Sequence, residues 1–313
     1  MAKAALNKEE PEVVYHYTSM DAMMKIVETA SIWATSISYL NDTSEREHYL
    51  DLVRERIAVY RQTHSLEDER IFDDFVNGSD LGFDDRPFVA SFSQEDDSLP
   101  QWRSYCAQGN GVALGFRVDC LKRAFLQEDG PPMVLASFKP RLSFRKIDYL
   151  DASEIQSLDN EINAAIGESF RNAEEDRDRP PNPYFNISTP PSVYFKTIIE
   201  GVASFKKHPS FINEREYRIL VDSIFWQINR LEFRTTRSML VPFVSVKIPL
   251  RDSRHPDKPL VRPPGEGRWD FIDRVVLGPT ANKKLSLDAV SAFFIKNRMH
   301  VEVVSSTIPY RDW

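Results

Sequence analysis

Gly109-Asn110-Gly111-Val112-Ala113-Leu114-Gly115-Phe116 is the stretch on which the fold turns. Its glycines look superficially like a dinucleotide-binding fingerprint, but that motif must open a helix, whose N-terminus receives the phosphates. Here the glycines lead into an apolar run over residues 111–118 that reads as a strand, with a turn before it. The flanks agree. Residues 87–93 alternate as a strand and 99–107 read as a helix, while 133–138 and 142–150 read as two antiparallel strands. Further out, a strand over 13–17 meets a helix capped by Thr18 or Ser19, with Met20, Met23, Met24 and Val27 at helical spacing. A strand over 31–36 then precedes a helix, opened by Asp42 or Thr43, that is striped by Arg46, Leu50, Val53, Ile57 and Tyr60.

The remaining pattern comprises helices over 66–76, 153–173 and 192–207, strands over 214–221 and 238–250, and a closing strand, helix and strand over 271–277, 285–297 and 301–305. Hairpin-like neighbours outnumber crossover units, so the expected class is α+β, with a mixed, largely antiparallel sheet and flanking helices. Residues 1–11 read as a disordered tail and 12–313 as a single domain. Its proline-rich stretches near 174–191 and 251–268 read as loops.

The chain of 313 residues is long enough to bury a sizeable core without staples. Its 40 basic against 47 acidic residues give a formal charge of -7, so the overall field does not attract phosphate backbones. No apolar run approaches the length of a bilayer-spanning helix, and no apolar stretch of signal-peptide type follows the first lysine, which makes the cytoplasm the expected location, with no membrane partner. Cys106 and Cys120, with thirteen residues between them, fit neither a metal knuckle nor a disulfide framework. The six histidines are scattered, and no metal site is expected.

Three clusters carry candidate chemistry. In Tyr15-His16-Tyr17-Thr18-Ser19, an imidazole at the end of a strand is placed to donate to a ligand hydroxyl; the bland alternative is a histidine satisfied by backbone. Ser91 and Ser93 share one face of a strand, and Trp102 and Tyr105 lie a turn apart on the next helix, so hydroxyls and an aromatic platform for a flat ring could converge. The competing reading makes Trp102 and Tyr105 core residues. In Glu214-Arg215-Glu216-Tyr217-Arg218, alternation puts Glu214, Glu216 and Arg218 on one face. Either they form a structural ion pair, or one glutamate stabilises a cationic, oxocarbenium-like centre.

These residues resemble those of a bacterial family known as domain of unknown function 2971. The resemblance rests on Tyr15-His16-Tyr17-Thr18-Ser19, Ile32-Trp33, Tyr39-Leu40-Asn41-Asp42 with Glu45, Phe92-Ser93, Trp102 with Tyr105, residues 111–116, Glu214-x-Glu216-Tyr217-Arg218, Val276-Leu277-Gly278-Pro279 and Ile308-Pro309-Tyr310-Arg311. Asn41, Asp42, Glu45 and Arg218 form a further candidate site on that resemblance.

In layout the chain is also distantly similar to ADP-ribosyltransferases. That similarity implies an ADP-ribosyltransferase-like fold and NAD as the substrate. It implies that His16, with Tyr17 and Thr18, holds a ribose hydroxyl, that Ser91 and Ser93 with Trp102 or Tyr105 line the nicotinamide subsite, and that Glu216, or else Glu214, stabilises the ribosyl cation. The pattern is a hybrid: the first-strand histidine belongs to one toxin class and the Glu-x-Glu to the other. The acceptor would be a protein or nucleic acid, and the role that of a toxin or antiphage defence effector. A non-catalytic nucleotide- or peptide-binding module is the alternative from another class. A metal-dependent phosphodiesterase or nuclease is disfavoured by the absence of a metal-ligand pattern.

Overall fold

The computed structural model of the chain describes residues 10–40, 43–62, 70–72, 75–76, 87–106, 111–126, 142–150, 152–178, 189–221, 230–236, 238–248, 250–252, 255–260 and 271–309. Of the expected tail over 1–11, residues 1–9 lie outside the described residues, as do the strand over 133–138, most of the helix over 66–76 and the segments 179–188 and 261–270.

The first strand, β1 (Val13–Ser19), runs straight into α1 (Met20–Thr29), and the Ser19 side chain accepts the Ala22 N–H at 3.2 Å to cap the helix. Met23, Ile26 and Val27 form the buried face of α1, and Ala30 in the left-handed region (φ 48°) ends it. The chain continues through β2 (Ser31–Ser36), α2 (Thr43–Tyr60), β3 (Phe88–Ser93), α3 (Leu99–Tyr105), β4 (Gly111–Arg117), α4 (Val118–Leu121) and β5 (Phe125–Leu126). Next come β6 (Leu142–Lys146), β7 (Asp148–Tyr149), α5 (Ala152–Arg177), α6 (Pro191–Ala203), β8 (Lys206–Lys207), a 3-10 turn (Pro209–Glu214) and β9 (Glu216–Val221). The last part holds β10 (Glu232–Thr235), β11 (Leu240–Lys247), β12 (Leu250–Asp252), β13 (His255–Leu260), β14 (Ile272–Leu277), α7 (Lys283–Lys296) and β15 (Glu302–Ser305).

The fold is α+β around an 11-stranded mixed sheet in the order β10-β11-β2-β3-β1-β4-β14-β15, with β9 on β3, β6 on β9 and β5 on β11. All its pairings are antiparallel except β14 with β15, which are joined by the α7 crossover. The main core holds Phe92, Leu114, Phe116 and Ile219 of the sheet with Ile26 of α1 and Phe294 of α7. Another core forms where Leu50, Val53 and Ile57 of α2 meet Ile162 of α5 and Phe195 and Ile199 of α6. Those three α2 positions are the stripe that its helical spacing predicts.

The feature that positions the site is a split in the sheet. Along one edge β3 pairs with β9 over its whole length, from Phe88↔Val221 to Ser93↔Glu216. A strand has only two edges, so β2 and β1 share the other: β2 pairs at Phe88 and Val89, and β1 pairs at Ser93. Between these points β1 and β2 diverge, and Ala90, Ser91 and Phe92 have no strand partner on that side.

Several expectations are corrected. The run beginning at residue 214 is not all strand: His208 accepts the Ser210 N–H at 3.2 Å, Pro209 begins a 3-10 turn, and Arg215 at φ 44° ends it, so the strand starts at Glu216. The helix expected to reach 207 stops at Ala203, because Lys206 and Lys207 pair instead with Asp148 and Tyr149 in a short parallel ladder. The strand expected over 142–150 breaks at Ile147, and its first part pairs with β9. Within the proline-rich loop near 251–268, β12 and β13 form a two-stranded ribbon, a setting whose free edges tolerate proline. The helix expected over 153–173 continues to Arg177. The strand β10 has no counterpart in the sequence reading, since all four of its residues are exposed and no alternation marks it.

Candidate functional site

The split in the sheet opens into a cavity of about 370 Å³. It is lined from β1 by His16, Tyr17 and Thr18, from β3 by Ser91 and Ser93, and from the β9 region by Glu214, Glu216 and Arg218. Sequence-distant residues that were singled out separately are thus brought to one place.

His16 fills part of the gap that the diverging strands leave. Its Nδ1 lies 2.9 Å from the Ser91 carbonyl oxygen, within the unpaired stretch of β3. A carbonyl only accepts, so Nδ1 carries the proton. Burial draws the ring's pKa below the ordinary histidine value, against the opposing effect of the Ser91 bond, and the nearby Arg234 guanidinium lowers it further. The ring is therefore neutral at neutral pH and Nε2 is an acceptor. The Ser91 bond is the backbone satisfaction that the bland alternative expects, and it occupies the ring's one donor, leaving Nε2 able only to accept.

Glu216 begins β9 at 5% exposure, and its backbone N–H donates to the Tyr149 hydroxyl at 3.0 Å. Its Oε1 accepts from Arg218 Nε at 2.6 Å, and its Oε2 accepts from Arg218 Nη2 and from Lys207 Nζ, each at 3.2 Å. Arg218 also donates to the Ser204 carbonyl at 2.7 Å. Burial by itself would raise the Glu216 carboxyl, but the charges of Arg218 and Lys207, with hydrogen bonds from Arg218 and Ser91, hold it below the usual carboxylate range. Glu214, just before the strand, accepts from the same Lys207 at 2.6 Å. The two glutamates are thus coupled through a buried lysine rather than by strand alternation.

The other expected residues divide. Tyr17 lines the cavity, but its hydroxyl donates to the Glu95 carbonyl and accepts from the Ser98 N–H, at 2.8 and 3.0 Å, and burial pushes its pKa up. Ser93 donates to the Glu214 carbonyl at 2.7 Å and accepts from the Glu95 N–H at 3.1 Å, so it fixes the turn around the carboxylates. Tyr105 lines the cavity and is 44% exposed. Trp102 does not line it: at 2% exposure it packs edge-on against Tyr17 with ring centroids 4.6 Å apart, and is a core residue. Asn41 and Asp42 lie outside the described residues, and Glu45 falls within α2. Neither cysteine is in a disulfide, both are buried, and burial pushes the Cys106 thiol up to about 12, which leaves it un-ionised and unsuited to attack.

Trp102 is tied to a second polar feature. Asp97 accepts from Trp102 Nε1 at 2.7 Å, from Ser306 Oγ at 2.6 Å and from the Thr307 N–H at 2.8 Å, joining α3 to the segment after β15. Burial would raise the Asp97 carboxyl, yet these bonds together hold it below its ordinary value. A carboxyl depressed by folding contributes stability above its unfolded pKa, about 3.9, and loses that contribution as pH falls through the lower folded value. Asp97→Asn is therefore expected to be less stable than wild type at pH 7, with the gap closing below about pH 4. Urea unfolding at stepped pH measures this, and a pH-independent gap would contradict it.

Two residues were missed. Lys207 was expected on a helix, although two lysines in an apolar context shortly before Glu214-x-Glu216 are a usable signal. Arg234 of β10 lines the cavity and donates to the Thr35 hydroxyl at 3.2 Å; no periodicity marks it. Trp33 and Tyr39 add aromatic surface to the lining.

Residues 101–219 match the family described as protein of unknown function (DUF2971), so the resemblance read from the motifs is shown over that stretch, which includes Trp102, Tyr105, Glu214, Glu216 and Arg218. No curated protein matches the chain, and no solved structure does. Among the described residues no helix is long and apolar enough to cross a membrane, and no cluster of His, Cys, Asp and Glu is arranged to hold a metal.

Proposed function

We propose that the split cavity binds NAD and that the protein is an ADP-ribosyltransferase, cleaving NAD and passing ADP-ribose to a protein or nucleic-acid acceptor. The observation that carries this reading is the convergence of a neutral His16 and an ionised Glu216 on one cavity. Nε2 of His16 accepts from a ribose hydroxyl, and Ser91 ties the ring to the strand that also faces Arg218 and Glu216. Tyr105, Trp33 and Tyr39, rather than Trp102, supply surface for a flat ring.

In the reaction the bond between the ribose anomeric carbon and the nicotinamide nitrogen breaks, and its electron pair leaves with nicotinamide, which becomes neutral. The positive charge developing on the ribose is opposed by the Glu216 carboxylate, an interaction stronger in the transition state than in the ground state. The acceptor's lone pair forms the new bond and its proton passes to solvent. A toxin or defence effector is a role that this chemistry suits.

One observation favours the non-catalytic alternative: Arg218 and Lys207 already offset the charge of Glu216, which weakens its pull on a cation. Incubating the protein with NAD and cell lysate, then assaying free nicotinamide, separates the readings. Nicotinamide release above a protein-free control supports the transferase; saturable NAD binding without release supports the module.

A further inference from the structure

The cavity is lopsided in charge. At the β9 end, Arg218 and Lys207 are both engaged by Glu216, and Lys207 also by Glu214. From β10 the Arg234 guanidinium enters the lining, and there the balance differs: its hydrogen bond is to the neutral Thr35 hydroxyl. No carboxylate among the described residues pairs with it. Burial pulls its pKa below the ordinary arginine value, with no carboxylate opposing the effect. The residue as a whole is exposed, so water covers the guanidinium at the cavity wall until an anion displaces it. Its planar fork suits phosphate oxygens bidentately.

We propose that Arg234 is the anion-binding residue of this cavity, and that the ligand is a nucleotide whose phosphate or diphosphate lies against Arg234 and Thr35. At the β9 end two cations are matched by two carboxylates and offer an anionic group no net attraction, so the ligand is oriented with its phosphates toward β10 and its reacting sugar toward His16 and Glu216. Arg234 is then a positioning residue that selects for phosphate-bearing over phosphate-free ligands. The inference rests on reading the cavity as a nucleotide site, and it does not require turnover.

Isothermal titration of wild type, Arg234→Ala and Arg234→Lys with NAD, ADP-ribose, ADP, inorganic pyrophosphate and adenosine tests it. The expected result is binding of phosphate-bearing probes by wild type, weakened about 10-fold or more in Arg234→Ala and less in Arg234→Lys. Adenosine, which lacks phosphate, should behave alike in all three proteins. Equal affinity of wild type and Arg234→Ala for every probe overturns the proposal. So does a wild type that binds none of the phosphate-bearing probes at millimolar concentration, or a loss in Arg234→Ala that extends equally to adenosine and is not restored in Arg234→Lys. Binding of ADP or pyrophosphate, but not NAD or ADP-ribose, that is lost in Arg234→Ala keeps the role of Arg234 and defeats the NAD reading.

Discussion

Glu216→Gln is expected to slow nicotinamide release from NAD about 10²- to 10³-fold, the range found when one preorganised electrostatic group is removed from an active site. The substitution keeps the volume and most hydrogen-bonding capacity of the side chain while removing its charge. Because that charge acts on a cation present only as the glycosidic bond breaks, NAD affinity should change far less than rate. Arg218 and Lys207 damp the effect, since both lie against the carboxylate. Single-turnover assays with excess protein measure the rate, and parallel titration measures affinity. Release at the wild-type rate would remove Glu216 from the chemistry. Loss of both binding and rate would make it a structural residue.

Arg218→Ala is expected to cost about 3–5 kcal/mol of folding stability, the usual penalty for removing one partner from a buried ion pair. Arg218 is 5% exposed and ties Glu216 to the Ser204 carbonyl. Its removal leaves Glu216 with Lys207, which Glu214 also engages. Domains are stable by only about 5–15 kcal/mol, so a loss of this size shifts the urea midpoint strongly. A cost under about 1 kcal/mol would mean that water reaches the carboxylate. The pH dependence has a definite sign: folding depresses the Glu216 carboxyl, so its contribution is present above the unfolded carboxylate pKa and is lost as pH falls through the folded one.

Most strands of the sheet were legible locally. Residues 31–36 and 111–117 carry apolar runs that lie between turn residues, and residues 87–93 and 216–221 alternate, because their two faces meet different cores. The order of the strands was not legible. Nothing in β3 itself shows that β1 and β2 share one of its edges, since that depends on pairings more than 50 residues apart, and the cavity exists because of it. For the same reason His16, Ser91 and Glu216 could be nominated singly but not assembled. Trp102 shows the opposite limit: helical spacing puts it near Tyr105, but only tertiary packing decides that Trp102 turns to Tyr17 while Tyr105 reaches the cavity. Arg234 gave no signal because an exposed edge strand has neither alternation nor an apolar run.

That the split cavity is an NAD site can be tested without knowing the acceptor, by melting wild type and His16→Ala with and without millimolar NAD. A ligand at about a hundred times its dissociation constant stabilises the folded state by about 2.7 kcal/mol, a readily visible shift. The expected result is a rise in melting temperature for wild type that is lost in His16→Ala, whose Nε2 acceptor is gone. No rise in wild type, or an equal rise in both proteins, would contradict the placement of NAD against His16.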